Sequence, residues 1–395
     1  MKINLTQGVK YIIDALYEAG YEAYVVGGAV RNGLLSRTVD DYDITTSASP
    51  MEIKSVFSSL RTVDTGIKHG TVTVIYEGTP YEVTTYRLDG EYGDNRHPLS
   101  VEFTRNLSDD LARRDFTVNA MCYNEACGIV DLYGGREDLK AGIIRTVGDA
   151  STRFFEDALR ILRALRFASV LDFTIEEKTA QAILNQYPLL ANVSSERVLV
   201  EIKKLLCGVG AHRIIEEYSE VIRFVFPELD SIVLPDKQRF LRADWRARLC
   251  SLFILGSDNP SAKLDAAMIR LRSDNKSRTL LAEAVSAYMS VKFDTSGGIL
   301  RGLMRFGEEV MTLCADIKRL VDGDYCVTNA LRDILSTSPI YRIRDLEVDG
   351  TDMRALGYSG VQIGEALERA LIAVIDGECE NSHTALLEYL KNNQA

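Results

Sequence analysis

The sequence predicts an α+β protein: a mixed α/β region over about the first 150 residues, followed by an all-helical remainder. Short β-branched runs bounded by Gly or Pro, as strands are, occur at 23–26, 71–76 and 81–86. Beyond them, apolar residues recur at the three-to-four spacing of helices. The segments with this spacing are 154–170, 176–187, 195–206, 212–226, 367–377 and 384–392.

Helices are also expected between the early strands. A helix over 5–18 would bury Val9, Ile12, Ile13 and Leu16 and would stop at Gly20. Another helix begins after Ser49, where Pro follows the cap and an acid occupies the third position.

Composition narrows the class of protein. The 395 residues are 46% hydrophobic and 26% charged, which is typical of a globular chain and excludes a disordered or fibrous one. Neither a membrane span nor a signal peptide is evident, which predicts a cytoplasmic protein with no membrane partner. The seven cysteines form no CxxC pair, which argues against a zinc site or a disulfide framework.

A Gly-Gly turn follows the first predicted strand. Gly27 and Gly28 would let backbone N–H groups approach an anion, and Arg31 adds a forked cation suited to phosphate. A plain tight turn explains the same residues equally well.

Two aspartates follow this turn in the segment DYDI. Asp41 and Asp43 would lie on one face of a short strand, roughly 6–7 Å apart. Paired carboxylates are costly without a cation, and Mg²⁺ is the natural occupant. Glu82, in a later strand, is a candidate third catalytic carboxylate, although a solvent-exposed acid fits as well.

Two later segments combine acids with arginines. Arg113, Arg114 and Asp115 precede what looks like an apolar helix start, where they could hold a triphosphate and ribose. Asp157, Arg160 and Arg163 would form one helical stripe, with Arg166 drifting away from it. The stripe suits either a reader of nucleobase edges or a surface helix with acid–Arg pairs.

Together these segments resemble the class II tRNA nucleotidyltransferases, the CCA-adding enzymes, whose head domain is shared with bacterial poly(A) polymerases. The family's GGxVRD, DxD, RRD and EDxxR motifs match GGAVRN, DYD, RRD and EDALR in the same order, and its SxERI-type segment resembles SSERV. The tail over 352–378 resembles compact bacterial members. One departure is Asn32, where the family usually has Asp.

The resemblance implies a nucleotidyltransferase-type mixed-sheet head and an elongated helical neck, body and tail. We expect a catalytic head over 1–145, a base-recognition neck over 146–206, a body over 207–290 and a tRNA-binding tail over 291–395. The implied reaction is template-independent addition of C, C and A to the tRNA 3′ end from CTP and ATP, with pyrophosphate released.

The resemblance also implies roles for single residues. Asp41 and Asp43 would bind Mg²⁺, whereas Gly28, Arg31 and Arg114 would hold triphosphate and sugar. The residues expected to read the base are Asp157, Arg160, Arg163 and Arg166.

RNA must be held although the net charge of −11 alone argues against nucleic acid. Local basic helices are the predicted phosphate track, with ordinary solvated faces as the alternative. The candidate RNA contacts are Lys203, Lys204, Lys237, Arg239, Arg242, Arg246 and Arg248.

Three alternative functions share these motifs: partial addition, polyadenylation and RNA binding without catalysis. The Gly-rich segment 87–98 resembles a loop that CC-only relatives lack, which favours addition of the terminal A. The chain has no His-Asp pair, so an appended phosphohydrolase domain is not expected, and it does not end in the basic extension common in poly(A) polymerases. The intact acidic and basic motifs argue against a protein that has lost catalysis, and no obligate protein partner is evident.

Overall fold

The computed structural model describes residues 3–39, 41–90 and 101–393. The chain divides into two compact units, Met1–Val225 and Phe226–Ala395. None of the helices formed by the described residues is long and apolar enough to cross a membrane.

The first unit combines strands with helices. Its strands are β1 (Ala23–Val26), β2 (Asp43–Thr46), β3 (Arg61–Gly66), β4 (Thr71–Tyr76), β5 (Thr79–Thr85), β6 (Arg87–Asp89), β7 (Val101–Phe103), β8 (Met121–Asn124), β9 (Gly128–Asp131), β10 (Ile143–Ile144) and β11 (Thr174–Ile175). Its helices are α1 (Gln7–Glu18), α2 (Gly28–Leu34), α3 (Pro50–Val56), α4 (Leu107–Ala112), α5 (Gly135–Ala141), α6 (Ala150–Glu156), α7 (Leu159–Leu171), α8 (Glu177–Gln186), α9 (Ser195–Leu206), α10 (Ala211–Glu217) and α11 (Ser219–Val225).

A seven-stranded mixed sheet organises this unit in the order β3-β4-β5-β2-β1-β8-β9. Its neighbouring strands are antiparallel except β2 and β5, which run parallel with Ile44 opposite Val83. This parallel pair places the start of β2 beside the middle of β5. Strands β6 and β7 pair separately, as do β10 and β11.

The predicted helix signals operate as expected near the N-terminus. Helix α1 buries the predicted apolar face, which includes Ile12 and Leu16 at 0% exposure. Ser49 caps α3 in a full capping box with Glu52. The predicted strands at 23–26 and 71–76 are confirmed as β1 and β4, and the run 81–86 lies largely within β5.

Three local predictions are wrong. Strand β2 begins only at Asp43, so Asp41 precedes the strand rather than sharing its face. The segment after Asp115 forms a short 3₁₀ turn at Thr117–Asn119 and then β8, not a helix, because Met121–Asn124 pairs with β1 and β9. The helix expected over 154–170 is broken between α6 and α7.

The second unit is helical throughout its described residues. Its helices are α12 (Lys237–Arg242), α13 (Trp245–Gly256), α14 (Pro260–Arg270), α15 (Asn275–Ser290), α16 (Ser296–Val321), α17 (Cys326–Ser336), α18 (Gly350–Ala355), α19 (Val361–Ile375) and α20 (His383–Asn392). Helix α16 is interrupted at Gly307, which has φ +76°. The last helices share a core that includes Met353, Leu371 and Leu386. The predicted all-helical remainder is therefore confirmed in outline.

Candidate active site

Carboxylates gather where β2 begins. Asp43 is its first residue, and the parallel register that pairs Ile44 with Val83 brings Asp43 next to Glu82 on β5. Both acids are exposed, as is Asp41 just before the strand. The fold thus brings the three predicted carboxylates together beside the start of β2, between the central strands of the sheet.

The pKa shifts of Asp43 and Glu82 indicate that the three acids lie close to one another. Desolvation and the charge of Asp41 raise the pKa of Asp43, against an opposing effect of Arg114. Desolvation and the charges of Asp43 and Asp41 raise the pKa of Glu82. Over residues 3–39, 41–90 and 101–393, however, no three His, Cys, Asp or Glu side chains converge closely enough to hold a metal ion by themselves.

These acids fit a divalent cation that takes further oxygens from another ligand. Like-charged carboxylates that raise one another's pKa are relieved when a cation sits among them. Hard cations such as Mg²⁺ commonly take one or two protein carboxylates and complete their shell with water and substrate phosphate. The geometry therefore favours a shared metal and triphosphate site over a closed metal cage.

The Gly-Gly turn connects β1 to α2. Gly27 adopts φ +71° and ψ −127°, a conformation that side chains rarely allow. A Cβ on Gly27 would lie 3.5 Å from Nη1 of Arg114, so the turn runs directly past this guanidinium. The predicted turn thus brings the backbone next to the predicted phosphate cation.

The buried side chain of Arg31 on α2 donates its hydrogen bonds to uncharged amide oxygens. Its Nη1 donates to Oδ1 of Asn119 at 2.6 Å, and its Nε and Nη2 donate to Oδ1 of Asn32 at 3.2 and 3.0 Å. Burial, together with the nearby charge of Arg166, lowers the pKa of Arg31 to about 10. Asn32 therefore keeps the acceptor role of the family's Asp but provides no charge to offset the guanidinium.

Asp110 anchors the two arginines that precede Asp115. Its carboxylate is fully buried and accepts from Arg113 at 2.6 Å and from Arg114 at 3.0 Å. It also accepts from Oγ1 of Thr45 on β2 at 3.1 Å, two residues beyond Asp43. Although burial opposes ionisation, Arg114 and Arg113 hold the pKa of Asp110 below its usual value.

Sequence reasoning missed Asp110 as a supporting residue. The signal was present, since an acid three and four residues before two arginines on a helix is placed to pair with both.

Asp115 joins the sheet to helix α7. It accepts from Nε of Arg163 at 2.8 Å, from Asn119 at 3.1 Å and from the backbone N–H of Phe116 at 2.8 Å. Burial opposes the charge, but the Arg163 guanidinium outweighs it and holds the pKa of Asp115 at about 2. Asp115 is therefore a structural partner of the predicted base reader.

The break between α6 and α7 separates the two main predicted base readers. Asp157 has an extended backbone and accepts from Arg197 on α9 at 3.0 Å. Arg160 lies in the first turn of α7 and donates to Glu156 at 2.6 Å and to the carbonyl of Arg113 at 3.1 Å. Asp157 thus leaves the predicted helical stripe, Arg160 stays on α7 with Arg163, and each of the two readers has its own partner.

Glu156 and Arg197 are further supporting residues in this region, and both lie inside the quoted motifs EDALR and SSERV. Sequence spacing alone did not show which acid would pair with which arginine.

Arg163 and Arg166 continue along α7 toward Arg31. Arg166 lies 2.8 Å from the buried Glu201 on α9, and burial lowers the pKa of Arg166 despite the nearby charge of Glu201. The nearby charges of Arg166 and Arg163 in turn help to lower the pKa of Arg31. The structure therefore groups these two arginines with the predicted phosphate cation.

The predicted RNA contacts differ in exposure. Lys204, Lys237 and Arg242 are exposed, and Lys203 and Arg239 are half-buried. Arg239 donates to the carbonyl of Val321 at 3.0 Å.

Two residues on α13 fit the RNA prediction poorly. Arg248 is only 4% exposed, packs over Phe240 and donates to the carbonyl of Leu241, so we drop it from the RNA contacts. Arg246 donates to Asp244 and lines a cavity with Glu308, Glu309 and Asp316, surroundings that repel phosphate.

A cavity of about 540 Å³ lies elsewhere in the first unit. Its lining includes Arg145, Glu176 and Lys178 but none of the predicted site residues. The candidate active site lies instead around the start of β2, in the middle of the sheet.

Comparison with known proteins agrees with this arrangement. Residues 23–145 match the family model of the poly(A) polymerase head domain, and residues 172–233 match that of a probable RNA and SrmB-binding site of polymerase A. Residues 246–390 match the model of a putative domain 2 of tRNA nucleotidyltransferases.

Curated relatives match along almost the whole chain. The CCA-adding enzyme of Lactobacillus johnsonii is 37% identical over 388 residues, covering 97% of this chain and 96% of the relative. The CCA-adding enzyme of Bacillus licheniformis is 37% identical over 395 residues, with 96% of each chain covered.

Solved structures show the same fold. The crystal structure of the Bacillus stearothermophilus CCA-adding enzyme in complex with CTP is 33% identical, has a TM-score of 0.81, and matches 98% of this chain and 97% of its own. A Thermotoga maritima CCA-adding enzyme complexed with tRNA is 21% identical with a TM-score of 0.67, which shows the fold alone. Relatives at 37% identity cover nearly the whole chain, and three family models match it in succession. This chain therefore belongs to the tRNA nucleotidyltransferase family of CCA-adding enzymes.

Proposed function

We propose that this protein adds C, C and A to the 3′ end of tRNA without a template, using CTP and ATP and releasing pyrophosphate. The observation that carries the proposal is the closeness of Asp43 to Glu82 and to the Arg114 cation around the start of β2. An acidic metal site beside cations for phosphate is what nucleotidyl transfer requires. The names of the full-length relatives support CCA addition over partial addition or polyadenylation.

Asp41 and Asp43 are the proposed Mg²⁺ ligands, and Glu82 is the proposed third catalytic carboxylate. When bound there, Mg²⁺ would supply a charge that offsets the triphosphate and favours ionisation of the attacking tRNA hydroxyl. The carboxylates themselves would hold this cation at the start of β2, next to the reacting phosphate.

The remaining residues bind the nucleotide. Gly28, Arg31 and Arg114 are proposed to hold triphosphate and sugar, since the turn and both guanidinium groups lie together. Asp157 and Arg160 are proposed to read the base, whereas Arg163 and Arg166, which the sequence also suggested as readers, lie on α7 close to Arg31. Asp110 and Asp115 keep the arginines in place through buried ion pairs.

We retain the domain assignment as a proposal: catalytic head 1–145, neck 146–206, body 207–290 and tail 291–395. The head assignment is supported by the family match that ends at residue 145. The exposed Lys204, Lys237 and Arg242 remain proposed contacts for tRNA phosphates. Because tRNA is the substrate, we place the activity in the cytoplasm.

Sequencing of reaction products tests the function directly. Purified protein is incubated with tRNA lacking its CCA end, together with Mg²⁺ and CTP alone, ATP alone or both. We expect CC from CTP alone and CCA from both nucleotides. Products ending at CC in the presence of both nucleotides would indicate a CC-adding enzyme, and long A tails would indicate a poly(A) polymerase.

A matched pair of variants tests whether one metal site serves both nucleotides. Asp43→Asn should lower incorporation of C and of A by at least about a thousandfold, because several kcal/mol of charge stabilisation is lost. Asp64→Asn is the control, since Asp64 pairs with Lys54 on the surface of the same unit. Loss of only one nucleotide activity in Asp43→Asn would contradict a shared catalytic site.

A further inference from the structure

Three guanidinium groups surround the ring of Phe167 on helix α7. The central guanidinium carbon lies 3.9 Å from the ring centroid for Arg166, 5.0 Å for Arg31 and 5.5 Å for Arg163. All three lie within the distance at which the negative face of an aromatic ring attracts a cation. One ring thereby connects a residue of α2 with two residues of α7.

The carboxylates around this cluster do not balance its charge. Asp115 pairs with Arg163, and Glu201 pairs with Arg166. Arg31 donates to amide oxygens of Asn119 and Asn32, which are neutral. Within direct contact, Arg31, Arg163 and Arg166 therefore carry three positive charges against two carboxylates, while Asp157 acts on Arg163 and pairs with Arg197.

The arginines of this cluster repel one another. Burial lowers the pKa of Arg31 most, and the charges of Arg166, Arg37 and Arg163 lower it further, against an opposing effect of Asp115. Holding such cations together needs an attractive element that leaves their charge available. An aromatic face meets that condition, because it attracts cations without neutralising them.

We propose that Phe167 is a positioning residue that gathers Arg31, Arg163 and Arg166 into one cationic cluster for the triphosphate shared by CTP and ATP. This inference rests on the proposed function and adds a residue to its nucleotide site. Phe167 is well placed for the role, since it is 7% exposed and its ring packs edge-on against Phe116 at 5.7 Å between centroids. Its position is thus set by the core while its ring contacts the arginines.

A plain core role for Phe167 makes a different prediction. A core residue acts through its shape and volume, whereas a cation-gathering ring acts through the negative charge of its face. Stepwise fluorination of the ring separates the two roles, because it withdraws that negative charge while changing volume little. The experiment therefore replaces Phe167 by mono-, tri- and pentafluorophenylalanine in the full-length protein.

We expect the KM values for CTP and ATP to rise together with each step, by about tenfold in total, which corresponds to about 1.4 kcal/mol. The kcat should change by less than about twofold, because the reacting groups on β2 are untouched. Equal factors for the two nucleotides are expected, since the triphosphate is common to both. KM values that stay constant on fluorination would overturn the proposal. So would KM values that fall, because they would mean that the ring competes with the nucleotide for the arginines.

Natural amino acids provide a second test. Phe167→Leu should raise both KM values and Phe167→Trp should restore them in part, whereas Phe57→Leu, in the same unit and 1% exposed, should lower only the melting temperature. Equal KM values in Phe167→Leu and Phe57→Leu would reduce Phe167 to a core residue.

Direct binding of CTP, measured by calorimetry without tRNA, separates this proposal from the proposed function. If the wild-type protein binds CTP but adds nothing to tRNA, the function fails. If the wild type is active and fluorination leaves CTP affinity unchanged, only the role of Phe167 fails.

Discussion

Asn32 is the single residue at which this chain departs from the glycine motif of its family. Its amide oxygen accepts from Arg31 at 3.2 and 3.0 Å, so the contact survives without a negative charge. The family's usual Asp would form an ion pair at the same position. In this chain the Arg31 guanidinium instead keeps its full charge for an incoming anion.

Restoring the acid gives a prediction with a clear sign. Asn32→Asp should raise the KM for both CTP and ATP by about fivefold, since a half-exposed ion pair contributes roughly 1 kcal/mol and competes with the triphosphate. Steady-state kinetics at low and high salt would measure it. Asn32→Ala is the control, because it removes the acceptor without adding charge. A lower KM in Asn32→Asp would mean that the acid orients Arg31 rather than neutralising it.

Asp115 illustrates how one buried acid links local geometry to pH. Its pKa of about 2 lies below the ordinary value of 3.8 because of Arg163. A depressed pKa in the folded state contributes stability above the unfolded pKa, and that stability is lost as the pH falls from about 4 toward 2.

Asp115→Asn should therefore lower the free energy of unfolding of the first unit by about 2 kcal/mol at pH 7. Between about pH 4 and pH 2, the stability of the variant should depend less on pH than that of the wild type. Amide hydrogen exchange in α7 is the suitable measurement. Fluorescence is not, because the single tryptophan, Trp245, lies in the second unit. Asp149→Asn is a useful comparison, since Asp149 is an exposed cap on α6. If the stability of the wild type and of Asp115→Asn fell in the same way below about pH 4, the stabilising role of the Asp115–Arg163 pair would be contradicted.

At the level of elements, the break between α6 and α7 sets the contacts of the two proposed base readers. Asp157 leaves the helix and pairs with Arg197 on α9, while Arg160 starts α7 and pairs with Glu156. A base that forms hydrogen bonds with both Asp157 and Arg160 must either replace Arg197 and Glu156 as their partners or bind while those ion pairs remain. The pairing across three helices therefore controls the orientation of the reading groups.

Loss of this control should relax nucleotide choice. Asp157→Ala and Arg160→Ala should raise misincorporation of UTP and GTP, relative to CTP and ATP, by about tenfold to a hundredfold, because unpaired polar groups no longer reject the wrong base. Arg197→Ala should have a smaller effect in the same direction, since it frees Asp157 without removing it.

Sequencing of products from a mixture of all four nucleotides measures the error rate. Arg213→Ala is the control, because Arg213 pairs with Asp172 and Glu217 elsewhere in the same unit. Unchanged selectivity with only a lower rate would assign Asp157 and Arg160 to a structural role.

At the scale of the whole molecule, adding A after C requires one site to accept two base edges in turn. The segment 87–98 is predicted to reposition the readers between these steps. Its residues 87–89 form β6, which pairs with β7 through Asp89 opposite Val101, and its residues 91–98 lie outside the described residues.

Deleting residues 90–96 should leave CC addition nearly intact and should stop addition of A. Residues 97–100 would remain between the two strands, a length common in hairpin loops, so we expect the fold to survive. Single-turnover conversion of tRNA-CC to tRNA-CCA is the measurement, with CC addition by the same variant as its internal control. A near-normal rate of A addition would make the segment a surface connector.

The sequence alone determined the outline of this protein and its candidate reacting groups. The α+β class, strands β1 and β4, the cap at Ser49 and the order of the acidic and basic motifs all follow from local rules of periodicity and side-chain chemistry. Such features depend on residues close together in the chain, so they can be recognised without a fold.

Only the tertiary structure decided how those groups are paired. Asp110 with Thr45, Asp157 with Arg197 and Arg31 with Phe167 join residues 65, 40 and 136 positions apart in the chain. The end of α6 at Asp157 depends on such contacts as well, because helical spacing continues through it in the sequence. Long-range pairing depends on sheet register and helix packing, which place side chains by three-dimensional proximity and not by spacing along the chain.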